Sequence, residues 1–187
     1  MAEQRVVKTD AAKGGFSIQY LILVSVLLAA GAVLKLTLGS VLTFAGMKPN
    51  FIIAMYCTAV LLTRCRPLQA LVIGLIAGLV CQIPMLNATP WLNILSEALG
   101  ALAMGLLILI PMKAGKLNLG PFVSTFLATA VSGYSFVIQL VVFVQHKGWE
   151  GVVPALATYA VMVLGTATFN AVVVTALEFP LRKVLKR

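Results

Sequence analysis

The chain has 187 residues, of which 61% are hydrophobic and only 10% charged, with a mean hydropathy of +1.05 and a formal net charge of +9. A soluble fold of this size needs a polar shell that long stretches of the sequence do not supply, so the expected form is a single membrane domain, residues 1–187. Disulfide and zinc chemistry are not expected: Cys57, Cys65 and Cys81 sit singly in or beside apolar stretches, where they act as small packing residues, and His146 is the lone histidine.

A head of residues 1–15 carries Arg5, Lys8 and Lys13 and precedes the first apolar stretch, 17–37. Ala30-Gly31-Ala32 imitates a secretory cleavage site, but the run from Phe16 to Leu34 is longer than a signal h-region, so cleavage is not expected. A Gly/Ser/Thr-rich segment then leads to Gly46-Met47-Lys48-Pro49, and Pro49 suits a first helical turn, where its missing N–H is not needed. A bilayer core about 30 Å thick asks for about 20 apolar residues of helix. Further stretches near that length lie at 49–63, the shortest, and at 67–86, 91–112, 120–145 and 153–179. Pro84, Pro90, Pro111, Pro121, Pro154 and Pro180 fall at or near their ends, and residues 180–187 form a basic tail. The expected fold is therefore all-α, a bundle of six transmembrane helices.

Placing both termini in the cytoplasm puts every Lys and Arg on the inner side except Lys35, Lys48 and Lys147. The positive charge is spread over four cytoplasmic segments, which makes it a topology signal rather than a nucleic-acid footprint. No nucleotide-binding P-loop, zinc-protease or serine-hydrolase motif is present, and too little chain lies outside the apolar stretches to build a catalytic domain. The chain is not expected to be an enzyme or to need a cofactor of its own.

The informative residues are polar ones in apolar surroundings. Glu97 lies one to two turns inside the fourth stretch, where a carboxylate costs about 2.5–3.5 kcal/mol at mid-helix and usually faces a cavity or a partner. Asn93 shares its face at i, i+4. The plain structural alternative is an ion pair of Glu97 with Lys35 or Lys48 that only fixes the bundle. The fifth stretch carries Ser132, Ser135 and Gln139 with Tyr134 beside them, and the sixth carries Thr166 and Asn170. Each of these taken singly reads as interhelical glue.

The Gly46-Met47-Lys48-Pro49-Asn50 segment, the six-helix length and a last helix ending in Pro180 before a basic tail resemble the substrate-binding S components of energy-coupling factor (ECF) transporters. More narrowly, they are similar to the TrpP-type tryptophan transporters, which carry Gly-Met-Lys-Pro-Asp at this place. Asn50 in place of Asp, and the Asn93–Glu97 pair, depart from that pattern. The resemblance implies a multi-pass protein of a bacterial cell membrane that hydrolyses nothing itself. It would capture a small micronutrient and work with a transmembrane coupling subunit and two ATPase subunits that use the ATP. The family's small-residue stripe for the coupling subunit finds its nearest match in Ser25 and Ala29.

An amino-acid-like substrate needs a cation for its carboxylate, an anion for its ammonium and an apolar slot. On this reading Lys48 holds the carboxylate and Glu97 the ammonium, with Asn50 and Asn93 fixing geometry. Trp91, Tyr134 and Phe136 line the slot, and Gln139 accepts an indole N–H. Tryptophan is the first candidate substrate. A vitamin or other small aromatic compound, a self-sufficient ion-coupled carrier with Glu97 titrating, and an assembly protein without a ligand are the alternatives.

Overall fold

The computed structural model describes residues 17–41, 50–114 and 117–185. They form six α-helices: α1 (Ile18–Val41), α2 (Phe51–Thr63), α3 (Pro67–Val80), α4 (Leu92–Leu107), α5 (Gly120–Gln139) and α6 (Val152–Leu185). A two-residue antiparallel pairing, β1 (Lys113–Ala114) with β2 (Leu117–Asn118), joins α4 to α5. Three helical runs, Ile18–Gly39, Gly120–Val144 and Trp149–Lys183, are long and apolar enough to cross a membrane.

The other three helices have 13, 14 and 16 residues. At 1.5 Å per residue they reach about 20–24 Å, short of a core about 30 Å thick. For α2 the reason is its place in the fold. Every residue from Phe51 to Leu61 is buried, and the helix packs against α1, α3, α4, α5 and α6. A helix apolar on all sides belongs in the interior, and one wrapped by protein along its length need not match the bilayer. Inside it the Thr58 hydroxyl donates back to the Ala54 carbonyl at 2.8 Å.

The α3–α4 pair is drawn together by glycine. A Cβ on Gly74 would lie 2.5 Å from the Glu97 carbonyl oxygen, and one on Gly78 would lie 2.6 Å from the Ile94 Cα. Only residues without side chains allow this approach. The contact fixes the height and rotation of α4, which turns Leu95, Leu99 and Leu106 outward and buries Asn93, Ser96, Glu97, Gly100 and Ala101.

The α1 helix runs on to Val41 rather than 37 and α5 gives way to a π-helical turn at Leu140–Val144, but the boundaries that differ most from the sequence expectation are those of α3, α4 and α6. The third stretch was expected to run to residue 86, but α3 stops at Val80 and a chain of turns leads to Trp91, with Met85 in the left-handed region at φ 73°. Pro84 and Pro90, which cannot donate to a helical ladder, punctuate that segment. The fourth stretch was expected to reach 112, yet α4 ends at Leu107, a turn before Pro111, and closes with tighter bonds such as Leu109 N–H to the Leu106 carbonyl at 3.2 Å. At the other extreme α6 does not stop at 179; it continues through Pro180 to Leu185. A proline removes one bond, to the carbonyl four residues earlier. That loss is met here on an exposed turn and straddled by an ion pair, Arg182 Nη2 to Glu178 Oε1 at 2.6 Å. Cations in the last turn of a helix also suit its dipole.

Candidate functional site

The end of α1, the turns between α3 and α4, the beginnings of α2 and α4, the second half of α5 and the first half of α6 meet around a cavity of about 590 Å3. Ligand pockets are commonly about 300–1,000 Å3. Its wall is mostly apolar, with Ile53, Leu86, Phe136, Leu140, Met162 and Val163 contributing, and Met85, 84% exposed, stands at its rim.

The floor is polar and continuous. Lys35 Nζ donates to Asn87 Oδ1 at 2.7 Å and to Asn50 Oδ1 at 3.2 Å. Asn50 Nδ2 donates to Glu97 Oε1 at 2.6 Å, and Ser132 Oγ donates to Glu97 Oε2 at 3.2 Å. The orientation of the Asn50 amide follows from its partners, because an ammonium offers only hydrogens and a carboxylate accepts them. Lys35 is 3% and Glu97 1% exposed. Two opposite charges in so dry a place persist only when paired and hydrogen-bonded, and Asn50 is the link between them. Asn50 is itself placed by α6, where Asn170 Nδ2 reaches the Asn50 carbonyl at 3.4 Å.

Four elements set these side chains. Lys35 sits near the end of α1, an otherwise apolar helix. Asn50 stands at the position just before α2, where its side chain, making no capping bond to the helix, is free to reach Lys35 and Glu97. Glu97 lies on the buried stripe of α4. Thr129, Ser132, Gly133 and Phe136 line the cavity from α5 at spacings of three and four residues, one face of a helix, and Leu140 continues that face from the π-helical turn after it. Thr129 is 2% exposed and its hydroxyl has no hydrogen-bond partner among the described residues. Thr158, Thr168 and Thr175 instead return their hydroxyls to the carbonyl four residues back. The Tyr56 hydroxyl, buried and likewise without a partner among the described residues, lies in the same region: a Cβ built on Gly100 would stand 2.5 Å from it and 2.7 Å from the Ser132 Cβ.

Of the residues picked from the sequence, Asn50, Asn93, Glu97 and Phe136 come together in this cavity. Lys48 lies outside the described residues. Three others do not line it. Trp91 is half exposed, its ring 6.4 Å from that of Phe143. It stands two residues before Asn93, on the other side of the helix. Tyr134, two residues from both Ser132 and Phe136, packs with Val137, Val141, Val152 and Val163. Gln139 is on the right stripe but its amide donates to the Ser135 carbonyl at 3.0 Å. Ser25 and Ala29 lie on the exposed face of α1.

Asn87 and Thr129 are cavity residues that were not picked, and Lys35 was named only as one of two possible ion-pair partners of Glu97. Lys35 carried a usable signal, as a lone charge inside an apolar helix. Asn87 and Thr129 carried none, since their positions depend on the 81–91 turns and on the rotation of α5.

Comparison with protein-family models, with curated proteins and with solved structures finds no match. The fold and the site define a helical protein with, among the described residues, three helical runs of membrane-crossing length and a ligand-sized cavity floored by a buried, hydrogen-bonded lysine–glutamate couple.

Proposed function

We propose that this chain is a membrane-embedded substrate-binding subunit that takes up a small zwitterion with an apolar side chain, and that tryptophan is the first candidate. The observation that carries the reading is the cavity floor, which presents one cation and one anion, held apart by Asn50, beneath apolar walls. A substrate carboxylate would exchange with the amide oxygens at Lys35, while its ammonium would meet Glu97. The unpartnered Thr129 hydroxyl adds a polar contact between floor and wall.

The proposed topology has six passages with both ends in the cytoplasm. Arg64, Arg66, Lys113, Arg182 and Lys183 all lie at the end of the helices remote from the cavity, which favours an outward-facing cavity under the positive-inside rule. The shortness of α2, α3 and α4 is compatible with passage of a bundle in which α2 is wrapped by other helices. In the ECF reading, ATP-driven release is the work of a coupling subunit and two ATPases, and the exposed stripe with Ser25 and Ala29 is the candidate contact.

The test is ligand binding by the purified chain, followed by thermal shift and intrinsic fluorescence across amino acids and B vitamins. Saturable binding of a zwitterionic amino acid, lost in Glu97→Gln while the protein stays monodisperse, is the expected result. No binding of any zwitterion by folded protein would overturn the reading. A second reading, an ion-coupled carrier, is favoured by Glu97 standing at the cavity itself. Concentrative uptake into liposomes without ATPases would select it over the ECF assignment.

A further inference from the structure

At the opposite end of the bundle the chain builds a second crevice, of about 260 Å3. Cations from three separated segments line it: Arg64, which closes α2, Lys113 on β1 and Arg182 on α6. The one carboxylate among the lining residues, Glu178, is already taken by Arg182 at 2.6 Å. Arg64 and Lys113 therefore leave the wall with an excess of positive charge.

Two further features point to an anion. Arg182 Nε is buried and has no hydrogen-bond partner among the described residues, a state that costs free energy until an acceptor reaches it. The first turn of α5, with Gly120, Pro121 and Ser124, forms another part of the wall and holds no acidic residue, so the positive end of that helix dipole is not offset within its own turn. Cations arriving from α2, β1 and α6 suit a group with several oxygens pointing in different directions better than a single planar carboxylate. Beside the charged wall, Leu109 and Ile110 are 65% and 55% exposed.

We infer that this crevice is a phosphate site, occupied by an anionic lipid headgroup or by a free phosphate anion. Basic recesses between helices at the cytoplasmic side are where lipid phosphates bind, and the exposed Leu109 and Ile110 would lie along the acyl chains. The inference rests on the orientation proposed above but not on what occupies the other cavity.

The experiment uses the full chain in phosphatidylcholine nanodiscs, with phosphatidylglycerol added in one arm and inorganic phosphate in another, against chloride at matched ionic strength. Readouts are the thermal midpoint and, for lipid, the number of molecules retained in native mass spectrometry. Two variants are compared with the parent. Arg64→Gly removes a cation at a left-handed position (φ 47°) that glycine adopts freely, so it folds without strain. Lys113→Gln removes the second. Lys147→Gln, at the cavity end, is the control.

Stabilisation by phosphatidylglycerol, weakened at least tenfold in apparent affinity by Arg64→Gly and by Lys113→Gln but not by Lys147→Gln, supports a lipid headgroup. The same pattern with inorganic phosphate supports the free anion. No protection in either arm, or an equal loss in Lys147→Gln, overturns the site.

Discussion

Asn50 and Glu97, 47 residues apart in the chain, are joined by a hydrogen bond of 2.6 Å from the Asn50 amide nitrogen to a carboxylate oxygen. Through the other end of the same amide, Lys35 is tied in at 3.2 Å. One neutral side chain thus partners both charges of the cavity floor, and the beginning of α2 is held to α1 and α4 by it.

Asn50→Ala is expected to destabilise the protein more than an ordinary surface change. It strips a hydrogen-bond partner from two buried charged groups at once, and an unmade bond to a buried group costs about 1–3 kcal/mol, more when the group is charged. A loss of about 2–4 kcal/mol in a reversible denaturation titration is expected; a loss within error of zero would mean that the link carries no structural weight.

Glu97→Gln and Lys35→Met are each expected to weaken binding of a zwitterionic ligand by about tenfold to a thousandfold, on the basis of about 1.4 kcal/mol per decade and several kcal/mol for truncating one partner of a desolvated pair. The double variant discriminates. If the couple serves only the fold, the pair of changes should restore stability, because replacing both buried charges is often neutral or stabilising. In the binding reading stability recovers and affinity does not.

Gly74→Ala is expected to cost about 1–3 kcal/mol, the range for overpacking, since its new methyl would stand 2.5 Å from the Glu97 carbonyl oxygen and 2.7 Å from the Ala101 Cβ. The displaced helix is the one that carries Glu97, so ligand affinity should fall with stability. Gly165→Ala on α6 meets nothing within 4 Å and should instead gain up to about 1 kcal/mol from helix propensity. Equal effects at the two positions would contradict the packing described for α3 and α4.

Arg64→Gly should raise stability by about 1 kcal/mol, because Arg64 closes α2 at φ 47°, ψ 42°, a conformation that costs an L-residue roughly 1–2 kcal/mol. Thermal unfolding in phosphatidylcholine alone, without anionic lipid or phosphate, is the appropriate measurement. A lower midpoint there would show that the Arg64 side chain contributes more than its backbone costs.

Topology has its own measurement. Cys57, Cys65 and Cys81 are buried free thiols; with them replaced, a cysteine at Lys147 should react with an impermeant thiol reagent in intact cells and one at Arg66 should not. The reverse pattern would turn the bundle over.

The apolar runs by themselves determined that helices would form and roughly where, because about 20 residues without charge have one low-energy answer in lipid, a helix that satisfies its own backbone. The same runs overstated α3 and α4, whose ends are set by turn residues around Pro84, Pro90 and Pro111, and they understated α6, where Pro180 removes one bond without ending the helix. Glu97 and Asn93 were legible as candidates because a polar group in an apolar run is costly wherever it lies, and Asn50 was picked for its place in the 46–50 segment. Lys35 was legible only as one of two possible ion-pair partners of Glu97, and the Asn50 link between them was not legible. Only tertiary structure brought Lys35 and Asn50 into register with Glu97, turned Trp91 and Tyr134 away from the cavity, and wrapped α2 in other helices. Those outcomes depend on how helices rotate and how closely they approach, which at Gly74, Gly78 and Gly100 is decided by contacts between residues far apart in the chain.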